Sequence, residues 1–360
     1  RSTQGVSSAA SDVYKRQPEI TKVRSAHRID ESALEAYLHS QSAEFSGSLK
    51  VQQFEGGQSN PTYHLTVGGR PYVLRKKPPG EILPSAHQVN REYRVMAALA
   101  ETDVSVPKMH LFCDDPSIIG TDFFVMEMVE GRVIPDVTLP NFNPKERAAL
   151  YDHLIEMLAR LHQVDYQSVG LGEGFGRPGN YFERQISRWS KQYLASKTEE
   201  LETMEHLMEW LPANIPQSDE TVIVHGDYRL GNTIIHPTEP KIVAVLDWEL
   251  STLGHPLGDL AYCCMHYYDE LENEKELTES GIPTENEFLA RYCELTGRET
   301  IENWTFYIVY NFFRSAAIIQ GVYKRGLDGN ASSEIALSLG ENCRKRADKA
   351  WQMVEKNGSQ

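Results

Sequence analysis

The feature that most constrains this chain is the stretch 221–260, where three short apolar runs each meet a polar group that a core would not accept. Residues 222–224 run into His225-Gly226-Asp227, 233–235 follow Asn232, and 242–246 run into Asp247-Trp248-Glu249. β-Branched runs broken by Gly, Pro and polar residues read as short strands joined by tight loops. Two carboxylates and one amide therefore stand at strand ends, where a rigid frame can project them into a cleft. The competing reading makes Asp227 and Asp247 ordinary turn or cap residues.

Around that stretch the chain divides in two. Residues 1–25 are small, polar and weakly basic with no apolar h-region, so they are set apart as a disordered or foreign extension. From Asp30 an amphipathic helix is predicted, with Leu34, Tyr37 and Leu38 on one face. Residues 48–78 read as a three-strand meander with a Gly68-Gly69 hairpin turn. Gly56, Gly57, Ser59 and Asn60 lie between its first two strands, where a turn can expose N–H groups to a phosphate, although an ordinary hairpin reads the same way. Arg75, Lys76 and Lys77 end the third strand. A helix follows over residues 87–101, with Val89, Tyr93, Met96 and Leu99 as its stripe, and Glu92 on it either pairs with Arg75 or Lys76 or is simply solvated. Residues 109–127 return as strands, ending in a dense apolar run at Glu127 and Met128.

Residues 131–144 make a connector, and helices dominate afterwards. The strongest spans 145–164, with His162 closing its apolar stripe as a packed or capping residue rather than a ligand. The glycine-rich segment 170–181 has no strand before it and no G-K-[ST] after it, so it reads as a surface excursion. A long helix from Trp304, apolar on most faces, belongs in a large core, with Arg314 either in an internal salt bridge or facing an acceptor. The predicted fold class is α+β, with a small antiparallel-sheet lobe over residues 26–127 and a larger, mainly helical lobe over 128–350.

Charge and cysteine usage exclude several classes. Thirty-six basic against 51 acidic residues give a net charge of −15, which argues against a nucleic-acid partner. Five cysteines without C-x-x-C spacing argue against a disulfide framework or a structural zinc. No apolar run is long enough for a membrane span. Phosphoryl transfer needs a carboxylate to orient a hydroxyl and hard oxygen ligands for Mg²⁺, and Asp227 suits the first role, Asn232 and Asp247 the second. Arg75 or Lys76 would neutralise the nucleotide phosphates.

The motifs HGDYRLGN, VLDWELSTLGHPLGDLA, YVLRKKPPG and IIQGVYKR resemble the aminoglycoside phosphotransferase and choline kinase group, and most closely the kinase-like domains fused ahead of acyl-CoA dehydrogenase domains. The resemblance covers about residues 50–325. It implies a protein-kinase-like two-lobe fold that uses ATP and Mg²⁺. Asp227 matches the catalytic base, His225 the brace of the catalytic loop, Asn232 and Asp247 the metal ligands, and Arg229 lies within the catalytic motif. Arg75 stands where protein kinases carry their phosphate-binding lysine, with Lys76 beside it, and Glu92 matches that cation's helix partner. Residues 126–128, including Glu127 and Met128, match the adenine-reading hinge; Gly57, Ser59 and Asn60 match the phosphate-covering turn. Asp259 resembles the buried aspartate beneath the catalytic loop. Gly231 departs from relatives that carry Asp before the metal-binding Asn.

The acceptor implied by the branch is a small molecule, first a 4-hydroxyacyl-CoA, with an acyl-CoA dehydrogenase as an implied partner. An aminoglycoside or amino-alcohol is the alternative acceptor, and a non-catalytic scaffold a third reading. Tyr228, Arg229, Trp248, Glu249, Arg314 and Tyr323 are the acceptor-side candidates. The expected compartment is the cytoplasm in a bacterium, or the mitochondrion or peroxisome in a eukaryote. Oligomeric state is left open.

Overall fold

The computed structural model describes residues 20–54, 60–78, 89–271, 277, 279–328 and 339–358. The small lobe is a six-stranded antiparallel sheet of β1 (Ile20–Thr21), β2 (Leu49–Phe54), β3 (Thr62–Val67), β4 (Arg70–Lys76), β5 (Met109–Cys113) and β6 (Phe123–Glu127), in the order β1-β2-β3-β4-β6-β5. Gly68 and Gly69, at φ +56° and +84°, close the β3–β4 hairpin, the conformation a two-residue turn needs to match strand twist. Alternation sorts the side chains of this sheet onto two faces. Tyr63, Leu65, Tyr72 and Leu74 bury against α1 (Glu31–Gln41), whose Leu34 and Leu38 are fully covered. Asp30 caps α1 by accepting from Ala33 N at 2.9 Å. Phe54, Val73, Phe124 and Met126 face the other way, into the core shared with α2 (Val89–Leu99) and the large lobe. Each large apolar side chain so buried contributes about 1.5–3 kcal/mol.

One sequence boundary moves. Ile20 and Thr21 pair with Phe54 and Gln53, so the sheet begins inside the segment set apart as an extension. A two-residue strand carries too little pattern to be read from sequence. The segment 109–127, read as strands, is interrupted by a short helix, α3 (Pro116–Ile119), capped by the Asp115 side chain. Gly57 and Ser59 lie outside the described residues.

The large lobe is built on α4 (Pro144–Gln163), which opens with a capping box between Asn143 and Glu146. There follow α5 (Tyr181–Ser196), α6 (Glu202–Ala213), α7 (Pro256–Cys264), α8 (His266–Asp269), α9 (Glu285–Thr296), α10 (Trp304–Leu327) and α11 (Gly340–Gly358). As its composition requires, α10 is buried along most of its length and packs against α5, α7 and α11. Two small two-stranded antiparallel sheets follow the connector: β7 (Val222–Val224) pairs with β10 (Thr252–Gly254), and β8 (Thr233–Ile235) with β9 (Ile242–Val245). The glycine-rich segment is less superficial than expected, since Leu171 and Phe175 are buried and Arg91 of α2 donates to the Phe175 carbonyl. All five cysteines are free, and no described helix is long and apolar enough to cross a membrane.

The connector is tied to the large lobe at Arg132, whose backbone exchanges hydrogen bonds with Ile235 at 2.7 and 2.8 Å. A Cβ on the preceding Gly131 would stand 2.4 Å from the Ile235 carbonyl oxygen and 2.3 Å from the Ile234 side chain. Gly131→Ala should therefore cost about 1–3 kcal/mol by overpacking. It would be read as a lower urea midpoint with unchanged slope, and an unchanged midpoint would show the connector is not held here.

Candidate active site

The loop between β7 and β8 carries Asp227, and a buried carboxylate beneath it sets its path. Asp259 on α7 accepts from His225 N at 2.5 Å and from Gly226 N at 2.8 Å. His162 of α4 places Nε2 3.6 Å from the same carboxylate and its Nδ1 2.7 Å from the Tyr292 hydroxyl. Burial alone would raise the Asp259 pKa, yet the His162 bond, the neighbouring imidazoles and the Gly226 N–H hold it below the ordinary range. Arg314 donates to Gly226 O at 2.6 Å. Gly226 has φ +84°, and a Cβ there would meet the Leu250 carbonyl oxygen at 2.7 Å, so the sharp turn requires glycine.

The same loop is tied to Asp247. Asp227 N donates to His225 Nδ1 at 3.2 Å, which leaves the imidazole proton on Nε2, and Nε2 donates to Leu246 O at 2.9 Å. Leu246 N in turn donates to Asn232 O at 2.8 Å. Asn232 Nδ2 reaches the Asp227 carbonyl at 2.9 Å and its carboxylate at 2.7 Å. Asp247 follows at φ +66°, a left-handed conformation that Asp tolerates better than most residues. One continuous network thus spaces Asp227, Asn232 and Asp247.

Arg75 of β4 crosses from the small lobe. Its Nη2 lies 2.8 Å from Asp247 Oδ1 and its Nη1 3.2 Å from Glu92 Oε2. Burial disfavours the charge on Arg75, but Glu92 and Asp247 outweigh it and keep the guanidinium protonated. Glu92 is completely buried, and that burial, opposed by Arg75 and reinforced by Asp247 and Glu249, pushes its carboxyl up to about 8. Asn60 donates to Glu92 at 2.9 Å and to Glu249 at 3.3 Å. Lys76 points to the opposite sheet face, buried near His27, and burial depresses its pKa. The structure thus brings Arg75 to the cleft and not Lys76.

Two cavities meet along this network at Gly231. The first, about 260 Å³, has apolar walls from Phe54, Val73, Met96, Met126 and Ile234, with Glu127 and Met128 along one edge and Arg75, Asn232 and Asp247 at the other. The second, about 440 Å³, opens beside Asp227 and is bounded by Arg229, Tyr262, Glu270, Arg314 and Arg346. Arg229 Nε stands 3.6 Å from Asp227 Oδ1 with its side chain half exposed. Arg346 pairs with Asp269 at 3.0 Å. Burial, with the Asp227 charge close by, raises the Tyr262 phenol.

Most of the acceptor-side expectations are corrected. Tyr228 is buried and donates to Leu154 O at 2.8 Å; Trp248 is buried, donates to Val245 O at 3.0 Å and packs 4.6 Å from the His225 ring. Glu249 belongs beside Asn60, towards the first cavity. Tyr323 lines a separate cavity with Glu199 and Arg344. Arg314 borders the second cavity but is buried, bracing the Gly226 carbonyl between the Trp189 and Tyr262 rings. Sequence reasoning missed Tyr262 and Arg346, although Tyr262 lies three residues beyond Asp259, about one helical turn on.

A sheet-rich lobe, a helical lobe and a carboxylate loop between them define the kinase-like fold of the aminoglycoside phosphotransferases. The model of the phosphotransferase enzyme family matches residues 50–303, and the chain belongs to that family. A crystal structure from Ralstonia eutropha, provisionally named an aminoglycoside phosphotransferase, is 48% identical with a TM-score of 0.84, covering 91% of this chain and 99% of that one. Mouse acyl-CoA dehydrogenase family member 10 is 44% identical over 95% of this chain but only 33% of its own length. Human acyl-CoA dehydrogenase family member 11 is 44% identical over 88% of this chain and 42% of its own. The chain therefore spans between a third and a half of these curated relatives. An aminoglycoside phosphotransferase solved with ADP and hygromycin B shares the fold at 15% identity and a TM-score of 0.59, covering 89% of this chain and 98% of that one.

The raised Glu92 pKa has a definite linkage sign. Between the ordinary 4.5 and about 8 the folded state holds a proton that the unfolded chain has released, so stability falls as pH rises through that window. Urea unfolding from pH 5 to 8.5 should show this slope in the wild type and a shallower one in Glu92→Gln; equal slopes would locate the titration elsewhere. Arg75→Ala should weaken nucleotide binding about tenfold, the scale of one charge-assisted hydrogen bond, whereas Lys76→Ala should leave it unchanged in calorimetric titration.

Proposed function

We propose that this chain is an ATP- and Mg²⁺-dependent small-molecule kinase that phosphorylates an alcohol, with a 4-hydroxyacyl-CoA as the first-choice acceptor. The observation that carries the reading is the single hydrogen-bonded network that puts Asp227 at one cavity and Asn232, Asp247 and Arg75 at the other. The adenine would lie in the apolar slot against the edge at Glu127 and Met128, and its phosphates would extend towards Arg75. The donor set fits Mg²⁺: Asp247 and Asn232 offer only hard oxygens, and such ions take one or two protein ligands plus phosphate oxygens and water. When bound, the ion would supply charge neutralisation on the phosphates.

The protein's own share is orientation and proton handling. Asp227 accepts the hydrogen bond of the acceptor hydroxyl and takes its proton as the oxygen attacks the terminal phosphorus. The new O–P bond forms as the bond to the bridging oxygen breaks, and ADP leaves. Asn232 holds the Asp227 carboxylate in place, and Arg75 stabilises negative charge on the leaving side. Asp259 and His225 act as positioning residues, since each touches loop atoms and neither borders a cavity, while Arg314 braces the Gly226 carbonyl from the wall of the second cavity.

The relatives named acyl-CoA dehydrogenase family members 10 and 11 support an acyl-CoA acceptor and a dehydrogenase partner, carried by sequence likeness over most of this chain. The acceptor cavity gives modest support, because Arg229, Arg314 and Arg346 balance Asp227, Asp269 and Glu270 where a polycationic aminoglycoside would favour an acidic wall. The aminoglycoside phosphotransferase solved with hygromycin B, and an ethanolamine kinase of Plasmodium vivax with 14% identity and a TM-score of 0.55, keep an amino-alcohol acceptor as the alternative.

Asp227→Asn should lower kcat by on the order of 10²–10⁴-fold while sparing ATP binding, and Asp247→Ala should also remove the Mg²⁺ dependence of nucleotide binding. Single-turnover kinetics and nucleotide titration separate the two; full transfer by Asp227→Asn would overturn the base assignment. An ATP-consumption screen across 4-hydroxyacyl-CoAs, free hydroxy acids, choline and aminoglycosides tests the acceptor. Turnover of an aminoglycoside or choline without any acyl-CoA would replace the first choice.

A further inference from the structure

On a chain with a net charge of −15, one patch runs against the rest. Arg91 and Arg94 on α2, Arg177 in the glycine-rich segment, and Arg184 and Arg188 on α5 converge around a cavity of about 350 Å³ that Arg91, Arg177 and Arg184 line directly. Its other walls include Phe175 and Thr252. The nearby acids are Glu173, Glu183 and Asp219, yet among the described residues none forms an ion pair with these arginines. The guanidiniums of Arg91, Arg94 and Arg184 are instead fixed by backbone oxygens. Arg91 Nε donates to Ser251 O at 2.6 Å, and its Nη2 donates to Phe175 O and to Thr252 Oγ1 at 3.1 Å. Arg184 donates to Gly179 O and, at 2.7 Å, to Arg177 O. These bonds orient the forks without neutralising them. They leave Arg91 Nη1 and Arg184 Nε with no hydrogen-bond partner among the described residues.

Uncompensated cationic forks held rigidly beside a cavity are the chemistry of phosphate recognition, where preorganised N–H pairs meet tetrahedral oxygens. Burial of Arg91, with Arg94 and Arg188 close by, lowers its pKa, the direction expected of like charges with no counterion. One chain segment contributes to this cavity and to the acceptor cavity. Leu250 borders the cavity beside Asp227, while Thr252 and Leu253, two and three residues on, border this one. Arg188 and Arg314 approach the same Trp189 ring, at 5.1 and 5.7 Å.

We propose that Arg91, Arg177 and Arg184 form a second phosphate-binding pocket, which takes a phosphate group of the acceptor and so anchors it with its hydroxyl at Asp227. The assignment of that phosphate to the acceptor rests on the acyl-CoA reading above; free phosphate is the other source of the same chemistry. It gives the segment 174–184, unused by the transfer step itself, a role in choosing substrates that carry phosphates far from the reacting hydroxyl.

The test uses the full chain with its nucleotide cleft filled by a non-hydrolysable ATP analogue. Calorimetric titration with CoA, pantetheine and inorganic pyrophosphate is compared between wild type and Arg177→Gln/Arg184→Gln, with Arg177→Gln alone as the variant least able to disturb folding, since its side chain is exposed. The expected result is CoA binding weakened about tenfold or more in the double variant, pantetheine binding unaffected, and ATP-analogue affinity unchanged. CoA and pyrophosphate affinities equal in wild type and both variants would overturn the pocket. Pyrophosphate bound through these arginines while CoA is not would overturn the assignment to the acceptor and leave free phosphate as the ligand. An arginine-dependent CoA affinity with no turnover of any hydroxyacyl-CoA would support the pocket while removing the acceptor reading, so the two failures are distinct.

Discussion

Everything at the centre of this molecule hangs from one buried carboxylate. Asp259 carries its charge with almost no exposure because two backbone N–H groups and the His162 ring complete its oxygens. An unpartnered carboxylate in that position would be costly, so the loop 225–227 and the carboxylate each require the other. The requirement passes outward through His225 to Leu246 and through Asn232 back to Asp227, so that β7, β8, β9 and α7 hold the loop from separate directions. The helical lobe supplies the platform, and α4 and α10 reach it through His162 and Arg314.

The small lobe is coupled to that platform by charge rather than by packing alone. Arg75 joins the glutamate of its own lobe to the aspartate of the other, across 172 residues of sequence, with Asn60 spanning Glu92 and Glu249 in the same place. These groups are buried or half-buried, where charge pairs are less screened by salt than on the surface. The apolar slot lies beside this array, which explains how one cleft can suit both a flat apolar ring and a string of anionic groups.

Much of this was legible in the sequence, for identifiable reasons. The strands 222–224, 233–235 and 242–245 end at polar groups, and strand ends point side chains where the frame dictates. Helices with regular stripes and caps, such as α4 and α9, declare themselves through period and capping chemistry. What could not be read was direction inside irregular turns. Tyr228, Trp248 and Glu249 sit in loops and a 3₁₀ turn, so sequence gives no face to assign, and two of the three proved to be core residues hydrogen-bonded to carbonyls. The choice between Arg75 and Lys76 depended on which face of β4 meets the cleft. The period-two rule separates the pair, but only the packing of Val73 and Phe54 against the large lobe says which face is which.

The Arg75–Asp247 pair also changes what it means for this cleft to fill. The guanidinium of Arg75 and the carboxylate of Asp247 neutralise one another across the cleft. On the proposed reading, filling the cleft would be an exchange of partners, in which an anion would draw the guanidinium while a cation would draw the carboxylate. Two ligands of opposite charge would then assist one another's entry, and the affinity of each would become a function of the other's concentration.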